Sequence, residues 1–415
     1  MRARIHRGTQ EIGGTCIEME SSGRRIALDV GLPLDAGEDG HDALLPHVSG
    51  FREVDDSLEG VVISHPHQDH YGLAKHVRSG VPICIGEAAN RILEAASRYI
   101  PGGHWFEDAR TYRDRQAFDL GPFHITPYLV DHSAFDAYAL LVEADGRRVF
   151  YSGDFRAHGR KAVLVEAIIQ RPPTDIDVLF MEGTTIGRAG ASEGAETESD
   201  LEARFAHAFK ATRGLHLVWT SSQNIDRLVT LFRAAKRTGR LLLIDLYTAV
   251  VLEATGRSSI PQSWWEDVRL YIPHSQRVHI KKNELFDDLG RHSANRVYPG
   301  QLQALAKRAV MLFRPHMVRD HGVGKVLDGA RLSYSMWGGY LQQEASRRVL
   351  AWLEGHGIPY SQIHTSGHAS VPDLQRLAAG LAPKRLVPIH SFETAQFGEF
   401  FANVERQEDG AWWEV

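Results

Sequence analysis

The feature that most constrains the fold of this chain is the segment Ser64-His65-Pro66-His67-Gln68-Asp69-His70. It places three imidazoles and one carboxylate directly after Gly60-Val61-Val62-Ile63, an apolar run that is typical of a buried strand. At the end of a strand, side chains can converge on one point instead of alternating between two faces. Neutral imidazole and carboxylate are the ligands that a cation such as zinc prefers. The segment therefore predicts a metal site, and the alternative is a polar loop that happens to be rich in histidine.

Composition excludes several classes of protein. The chain has 415 residues, enough for about two to three domains, and its net charge of −5 requires any nucleic-acid binding to use a local basic groove. It has no apolar run of about 18 residues, so no membrane association is expected. The N-terminus lacks the apolar core of a signal peptide, which favours a cytoplasmic location. Cys16 and Cys84, the only cysteines, do not form a thiolate metal site or a disulfide framework.

Other strand ends in the first ~185 residues also carry candidate ligands or acids. Alternating patterns and turn residues predict strands at 3–7, 15–20, 25–30, 82–85, 123–128, 138–144, 147–152 and 177–181, with helices at 73–78 and 87–99. Asp29 lies at the end of the strand predicted at 25–30, and His132, Asp154 and Glu182 follow later strands. For Asp29 a turn-capping role is the favoured interpretation. Loops at one edge of a layered α/β fold are where sites are built.

A second α/β region follows a Gly-, Ala-, Ser- and Glu-rich linker at 187–199. Helices at 199–212 and 225–238, and a third that follows residue 246 and ends at 255, alternate with strands at 215–220 and 240–246. This pattern indicates a parallel sheet. Strands at 310–314 and 330–335 and a helix at 342–354 continue it. Strands at 363–365 and 385–389 then precede His368 and His390.

These positions together fit a dinuclear hydrolytic site, which needs two cations about 3.5–4 Å apart with a bridging carboxylate. The spacing His-x-His-x-Asp-His lets the first two histidines bind one ion and the Asp-His pair bind the other. Later strand ends supply the remaining ligands. His132 would be a third ligand of one ion, Asp154 would bridge both ions, and His390 would complete the ligands of the second.

The same motifs resemble a known family. His65-Pro66-His67-Gln68-Asp69-His70, His132 and Gly153-Asp154 are similar to the metal motifs of the metallo-β-lactamase superfamily. Glu182, Ser366-Gly367-His368-Ala369-Ser370 and Val387-Pro388-Ile389-His390 resemble the three lettered motifs of its β-CASP nucleases. The Gly-His-Ala-Ser form, with Gln10-Glu11-Ile12-Gly13-Gly14, most resembles ribonuclease J. The resemblance implies an αββα metallo-β-lactamase sandwich formed by residues 1–185 and 356–415, with a β-CASP α/β domain inserted at 186–355.

The resemblance also implies roles for individual residues. One zinc would be bound by His65, His67 and His132, and a second by Asp69, His70 and His390, with Asp154 bridging. Two zinc ions per chain are expected, with manganese as the alternative. The implied catalytic residues are Asp69, His368 and Glu182. Asp69 would orient the attacking hydroxide, and His368 would stabilise charge on the scissile phosphate or protonate the leaving oxygen. Glu182 would hold a ligand histidine in the correct tautomer. For Glu182 the alternative is a helix cap.

Contacts with nucleic acid are less visible in the sequence. Ser221, Ser222 and Asn224 stand at a strand end before a helix and could present donors to a phosphate, with an ordinary N-cap as the equal alternative. Arg156 begins a basic loop after Asp154 that is expected to line a phosphate track, and Ser370 is expected to contact substrate. The segment Trp337-Gly338-Gly339-Tyr340 could stack a base, although core packing is the commoner use of aromatic residues.

The function implied is a β-CASP ribonuclease, exo- or endonucleolytic, that acts on single-stranded RNA. The alternatives are a DNA nuclease of the same fold, a non-nuclease hydrolase of the superfamily, and a silent RNA-binding subunit. His390 stands where DNA-cleaving relatives have valine, and all seven ligand positions are kept, which argues against the first and the third. The sequence departs from ribonuclease J in two places. Because the sequence ends about 25 residues after His390, we expect a short form without the usual C-terminal domain, for which a homodimer is one possible assembly. Leu332 to Tyr340 replaces a Pro-Gly-Asn-Glu-type turn, which puts the 5′-end pocket in doubt.

Overall fold

The computed structural model of the chain describes residues 1–37, 39–188 and 190–415 and divides into two compact units. Unit 1 comprises Met1–Glu94, His104–Ala195 and Gly367–Val415, and unit 2 comprises Ala95–Gly103 and Glu196–Ser366. The main segment of unit 2 is therefore inserted in unit 1 between Ala195 and Gly367. Ala189, within the predicted linker, lies outside the described residues.

The described residues form strands and helices with the following bounds. The strands are β1 Arg2–Arg7, β2 Cys16–Ser21, β3 Arg24–Leu28, β4 Leu58–Ile63, β5 Ile83–Gly86, β6 Arg110–Tyr112, β7 Phe118–Leu120, β8 Phe123–Val130, β9 Ala137–Ala144, β10 Arg147–Tyr151, β11 Val178–Glu182, β12 His216–Trp219, β13 Leu241–Ile244, β14 Val268–Tyr271, β15 Arg296–Val297, β16 Ala309–Phe313, β17 Arg331–Tyr334, β18 Tyr360–Gln362, β19 Arg385–Ile389 and β20 Trp412–Glu414. The α-helices are α1 Gln68–Tyr71, α2 Glu87–Ser97, α3 Ala162–Gln170, α4 Glu198–Ala211, α5 Ile225–Arg237, α6 Leu246–Ala254, α7 His274–Lys282, α8 Phe286–His292, α9 Pro299–Leu305, α10 His321–Gly324, α11 Glu344–Gly355, α12 Val371–Leu381 and α13 Phe397–Phe400. Short 3₁₀ turns cover His41–Leu44, Ala74–His76, Ser293–Asn295, Ala306–Arg308, Pro315–Arg319, Gly338–Gln342 and Thr394–Gln396.

Unit 1 is built on two sheets, whose strand orders in the described part of the chain are β20-β1-β2-β3-β4-β5-β6 and β19-β11-β10-β9-β8-β7. Apolar side chains from both sheets meet in one buried core, which includes Ile17 and Val62 from the first sheet and Leu140 and Phe180 from the second. Alternation along each strand sends the other side chains to the outer faces.

Helices cover both outer faces of the unit 1 sandwich. Ala89 and Leu93 of α2 lie in the buried cluster that contains Val61 and Ile63 of the first sheet. Helices α3 and α12 pack on the second sheet in a separate cluster. The layers are therefore helix, sheet, sheet and helix, which confirms the predicted αββα sandwich.

The hairpin predicted around Asp145-Gly146 is confirmed. Strands β9 and β10 pair antiparallel, with Ala144 opposite Arg147. Both residues of the two-residue turn have positive φ, 49° for Asp145 and 70° for Gly146, as the twist of a tight hairpin requires.

Two predicted elements are wrong. The helix expected at 73–78 is only a 3₁₀ turn, and α1 instead begins at Gln68, inside the histidine cluster. The cause is a close approach to the segment after β3, where the amide of Val30 donates to the carbonyl of His70 (2.8 Å), and a Cβ at Gly31 would overlap the carbonyl of Asp69. The strand expected at 363–365 is also displaced, because β18 ends at Gln362.

Unit 2 is the predicted parallel α/β domain. Its sheet, in the described residues, has the order β15-β14-β13-β16-β12-β17-β18, and each of its strand pairs is parallel. The inner strands β12, β13 and β16 are buried along their whole length, which is typical of a sheet that is covered on both faces, whereas the edge strand β18 is exposed. In the part of the chain that the structure describes, helices are too short or too polar to cross a bilayer.

Candidate metal centre

Loops that follow strands of unit 1 bring the predicted ligands together. The histidine cluster follows β4, His132 follows β8, Asp154 follows β10 and His390 follows β19. Strands β10, β11 and β19 are parallel neighbours, so their carboxyl ends lie at the same edge of one sheet. All of these residues belong to unit 1.

One group of donors contains only histidines. Side-chain nitrogens of His65, His67 and His132 lie within 4.8 Å of one another. His67 Nδ1 and His132 Nε2 are 3.1 Å apart. Two nitrogens that bind one tetrahedral zinc at about 2.0–2.1 Å are separated by about 3.3 Å, so this spacing suits a shared cation.

A second group adds carboxylates. Donor atoms of Asp69, His70, Asp154 and His390 lie within 4.8 Å of one another. Asp154 Oδ2 is 3.1 Å from His70 Nε2 and 3.6 Å from His390 Nε2. The same oxygen is 3.8 Å from His65 Nε2, so Asp154 lies between the two groups.

Buried atoms without partners support the presence of a cation. Within the described residues, His65 Nε2, His390 Nε2 and Asp154 Oδ1 are buried and have no hydrogen-bond partner. Such atoms are costly in a protein interior, and an unseen ion is one of the recognised reasons for them. His65 Nε2 and His390 Nε2 lie 3.8 and 3.6 Å from Asp154 Oδ2, and all three side chains belong to donor types that bind divalent metals. The residues present therefore fit a divalent metal site.

Burial and neighbouring charged groups together set the protonation of three of these side chains. Burial, with neighbouring imidazoles, holds the pKa of His65 and His132 well below the usual range, so both are in the neutral form that binds metals. Burial by itself would raise the pKa of Asp154, but His390, His70 and His368 hold it well below its usual value. The carboxylate between the two groups is therefore ionised.

Hydrogen bonds from outside the centre orient the ligands. His70 Nδ1 lies 2.7 Å from Asp29 Oδ2. The same buried carboxylate accepts hydrogen bonds from the amide and hydroxyl of Ser64 (2.6 and 2.7 Å) and from the hydroxyl of Tyr151 (2.5 Å). A carboxylate on Nδ1 leaves Nε2 of His70 as the ligand atom. Asp29 has a φ of 57°, so it also has the turn conformation for which it was singled out, but the turn-capping interpretation missed this contact.

Three further orienting contacts have no signal in the sequence. His132 Nδ1 donates to the carbonyl of Gly367 (2.6 Å), His390 Nδ1 lies 2.9 Å from the hydroxyl of Thr15, and His65 Nδ1 lies 3.1 Å from that of Ser64. A backbone carbonyl leaves no trace in residue identity, and hydroxyl residues are too common to be singled out. These contacts depend on tertiary structure.

We predict that Asp29→Asn lowers metal affinity by about 10- to 100-fold, as for other residues that orient a metal ligand. The amide of the variant retains the shape of the carboxylate but loses its charge. Its NH₂ group would also face hydrogen-bond donors that contact a carboxylate oxygen in the wild-type protein. Competition with a chromophoric chelator measures the affinity. Asp119→Asn is the matched control, because Asp119 is an exposed carboxylate that also contacts a histidine, His124 (2.7 Å). Equal affinity in the two variants would contradict the orienting role.

Glu182 and His368 form a pair beside the second group. Glu182 Oε2 lies 3.1 Å from His368 Nδ1, and Glu182 Oε1 accepts a hydrogen bond from the amide of Phe155 (3.0 Å). Glu182 was predicted to hold a ligand histidine, but its partner is His368, because the loop before α12 brings this histidine to the end of β11. Burial by itself would lower the pKa of His368, but Glu182 and Asp154 outweigh it and raise that pKa.

The centre is open to solvent on the side of Asp69 and His368. Their side chains are 17% and 20% exposed, whereas those of Asp154 and His390 are 1% exposed. Donor atoms of Asp154, Glu182 and His368 also lie within 4.8 Å of one another, so His368 has two carboxylates beside it. The side chains of Asp69 and His368 are therefore more accessible than those of Asp154 and His390.

The structure argues against substrate contacts for two of the predicted residues. The side chain of Arg156 is fully buried, and its Nε lies 3.3 Å from Asp131 Oδ1. A buried, ion-paired guanidinium cannot contact a phosphate at the surface. Ser370 caps α12, since its hydroxyl accepts from the amide of Asp373 and donates to the carboxylate (2.8 Å).

The three predicted substrate contacts of unit 2 differ in exposure. Asn224 caps α5 by accepting from the amide of Arg227 (3.0 Å), as in the alternative interpretation. Ser222 is buried and lies 2.8 Å from the hydroxyl of Thr248. Ser221 is exposed and Asn224 is half-buried, so Ser221 is the most accessible of the three.

Comparisons with known proteins identify a family and several relatives that this chain resembles. Residues 33–244 match the family model of the beta-lactamase superfamily domain. The chain is 22% identical to ribonuclease J of Helicobacter pylori (strain B128) over 92% of its own length and 55% of the relative's. It is 24% identical to ribonuclease J of Mycoplasma genitalium, over 92% of this chain and 66% of that one. The chain thus spans about half to two thirds of the length of these curated relatives.

A solved structure shows the same fold. It belongs to a protein of unknown function from Enterococcus faecalis V583, with a TM-score of 0.79 and 20% identity. The match covers 99% of each chain. With the αββα sandwich and the clustered His and Asp donors, the family model confirms the predicted superfamily: the chain belongs to the beta-lactamase superfamily.

Proposed function

We propose that this protein is a metal-dependent phosphodiesterase that hydrolyses RNA. The observation that carries the proposal is the arrangement of seven donors in two groups, with Asp154 between them and the Glu182–His368 pair on the accessible side. A dinuclear centre with a nearby proton donor suits attack on a phosphodiester, whose transition state gathers negative charge.

Two zinc ions are the proposed cofactors, with manganese as the alternative. His65, His67 and His132 would hold one ion, and Asp69, His70 and His390 would hold the other, with Asp154 shared. Nitrogen and carboxylate donors without sulfur suit either metal. Bound divalent ions lower the pKa of water and offset the charge of the phosphate oxygens.

The chain's own side chains would do the rest of the chemistry. The exposed carboxylate of Asp69 accepts a hydrogen bond from the attacking water and orients it toward phosphorus. Glu182 holds His368 through Nδ1, which leaves Nε2 to face the substrate. As the bond between phosphorus and the leaving oxygen breaks, His368 donates to the oxygen that gains charge.

RNA is favoured as the substrate by the names of the relatives, which are ribonucleases J along almost the whole of this chain. A silent RNA-binding subunit is disfavoured because the seven predicted metal ligands have donor atoms that lie close together in two groups. A DNA nuclease and a non-nuclease hydrolase are the outcomes that an experiment must distinguish from a ribonuclease.

The proposal is tested with purified protein loaded with zinc or manganese. End-labelled single-stranded RNAs with a 5′-monophosphate, 5′-triphosphate or 5′-hydroxyl are compared with single-stranded DNA of the same sequence. We expect RNA to be cleaved faster than DNA, and the labelled products to report whether cleavage starts at an end or internally. Failure to cleave any RNA with either metal would overturn the proposal, and faster cleavage of DNA would transfer it to the DNA-nuclease alternative.

A further inference from the structure

Unit 2 carries an exposed pair of aromatic side chains just after β17. Trp337 is 54% exposed and Tyr340 is 44% exposed. Their rings meet edge to face, with centroids 5.3 Å apart and an interplanar angle of 88°. Core packing, the other explanation for aromatic residues in this segment, does not account for rings with half of their surface in water.

The backbone holds Trp337 in one position. Its carbonyl accepts a hydrogen bond from the buried Tyr334 hydroxyl (3.0 Å), and the preceding carbonyl, of Met336, accepts one from the amide group of Gln362 on β18 (3.2 Å). The indole lies against the backbone of Gly339, where an added Cβ would overlap the ring. The ring is therefore a positioned surface feature and not a loosely attached side chain.

Another exposed tryptophan shows what an ordinary packing role looks like. Trp264 is 51% exposed, but its ring stacks on the buried His292, with centroids 6.4 Å apart and an interplanar angle of 14°. Its partner is thus within the protein. Trp337 instead packs edge to face on another exposed ring, that of Tyr340, at the carboxyl end of a strand in a parallel sheet, the edge where such sheets bind ligands.

We propose that Trp337 and Tyr340 form a platform on which a base of single-stranded RNA stacks. The identity of the ligand rests on the proposed function, because a nucleic-acid substrate supplies flat rings that need such a surface. Every base has a π face, so the platform holds the strand without selecting its sequence. The proposal assigns strand binding to the aromatic pair, while the chemistry stays with the metal centre.

The first test separates binding from chemistry. Trp337→Ala should raise KM for single-stranded RNA by about 5- to 150-fold with little change in kcat, since a stacked base contributes to that extent. Trp337→Phe, which keeps a flat ring, should restore most of the binding. Hydrolysis of bis(p-nitrophenyl) phosphate, which has no base, should be unchanged. Trp264→Ala is the matched control, and an equal KM in the two alanine variants would overturn the platform.

A second variant tests the position of the ring rather than its presence. Gly339→Ala keeps both aromatic residues, and Gly339 does not have a positive φ, so the backbone accepts alanine. The added methyl must displace the indole. We expect a rise in KM in the same direction as for Trp337→Ala, whereas an unchanged KM would show that the position of the ring is irrelevant to binding.

A direct binding assay keeps this test independent of nuclease activity. Fluorescence anisotropy compares an oligouridylate with the same strand carrying abasic sites. The wild-type protein should bind the abasic strand more weakly, and Trp337→Ala should bind both strands equally. If the wild-type protein and the variant prefer the oligouridylate over the abasic strand to the same extent, the platform is overturned even if the protein is a ribonuclease. Conversely, a protein that shows the expected loss but cleaves no RNA would refute the proposed function alone.

Discussion

Asp154→Asn should lower kcat/KM for RNA by about 10³-fold or more while the protein remains folded. One oxygen of Asp154 lies 3.1–3.8 Å from nitrogens of His70, His390, His368 and His65. It is the carboxylate that the two donor groups share, so loss of its charge weakens both. Several kcal/mol of transition-state stabilisation depend on such a centre, and each ~1.4 kcal/mol is a factor of ten in rate.

Three measurements on the Asp154 variant check this result. Single-turnover cleavage gives the loss of rate, elemental analysis gives the metal content, which should fall, and far-UV circular dichroism should match the wild type. Asp119→Asn, the same chemical change at an exposed site, should behave as the wild type does. Full activity in Asp154→Asn would refute the shared role of this carboxylate in both donor groups.

His368→Ala should lower turnover by about 10²- to 10³-fold and leave metal content near the wild-type level. This is the range for loss of a donor that meets developing charge. His368 is 20% exposed and contacts Glu182, whereas the seven other donors of the centre make up the two groups without it. His124→Ala is the control, because His124 also pairs with a carboxylate but lies on the exposed part of β8.

Two outcomes of the His368 experiment carry different meanings. Loss of metal would place His368 among the ligands, together with Asp154 and Glu182, whose donor atoms lie within the same 4.8 Å. If metal is retained, a substrate with an activated leaving group decides the role. A proton donor becomes dispensable when the leaving group needs no proton, so the defect should shrink, whereas a residue that stabilises charge on the phosphate should stay important.

Much of the fold was predictable because its strands and helices have strong local signals. The hairpin at Asp145-Gly146, the parallel sheet of unit 2 and the order of the layers in unit 1 follow from periodicity and turn chemistry. The errors lie where local preference competes with long-range contact. Residues 68–71 form α1 because the segment around Gly31 packs against them, and sequence neighbours do not reveal that contact.

The candidate site divides in the same way. The ligand types and their spacing were readable, because His-x-His-x-Asp-His is rare and each later ligand follows a strand. The neighbours that orient the ligands were not readable. The sequence predicts a turn role for Asp29 and a substrate contact for Arg156, whereas the structure places Asp29 beside His70 and buries Arg156 against Asp131.

The sequence by itself determined the chemistry available to this protein, since imidazoles and carboxylates at strand ends define which ions and reactions are accessible. Only the tertiary structure decided which atoms are used. It placed Asp154 between the two groups, paired Glu182 with His368 and set the tautomers of His70 and His132 through Asp29 and the carbonyl of Gly367. The physical reason is that such partners are chosen by distance and burial, and these arise from packing between segments far apart in the chain.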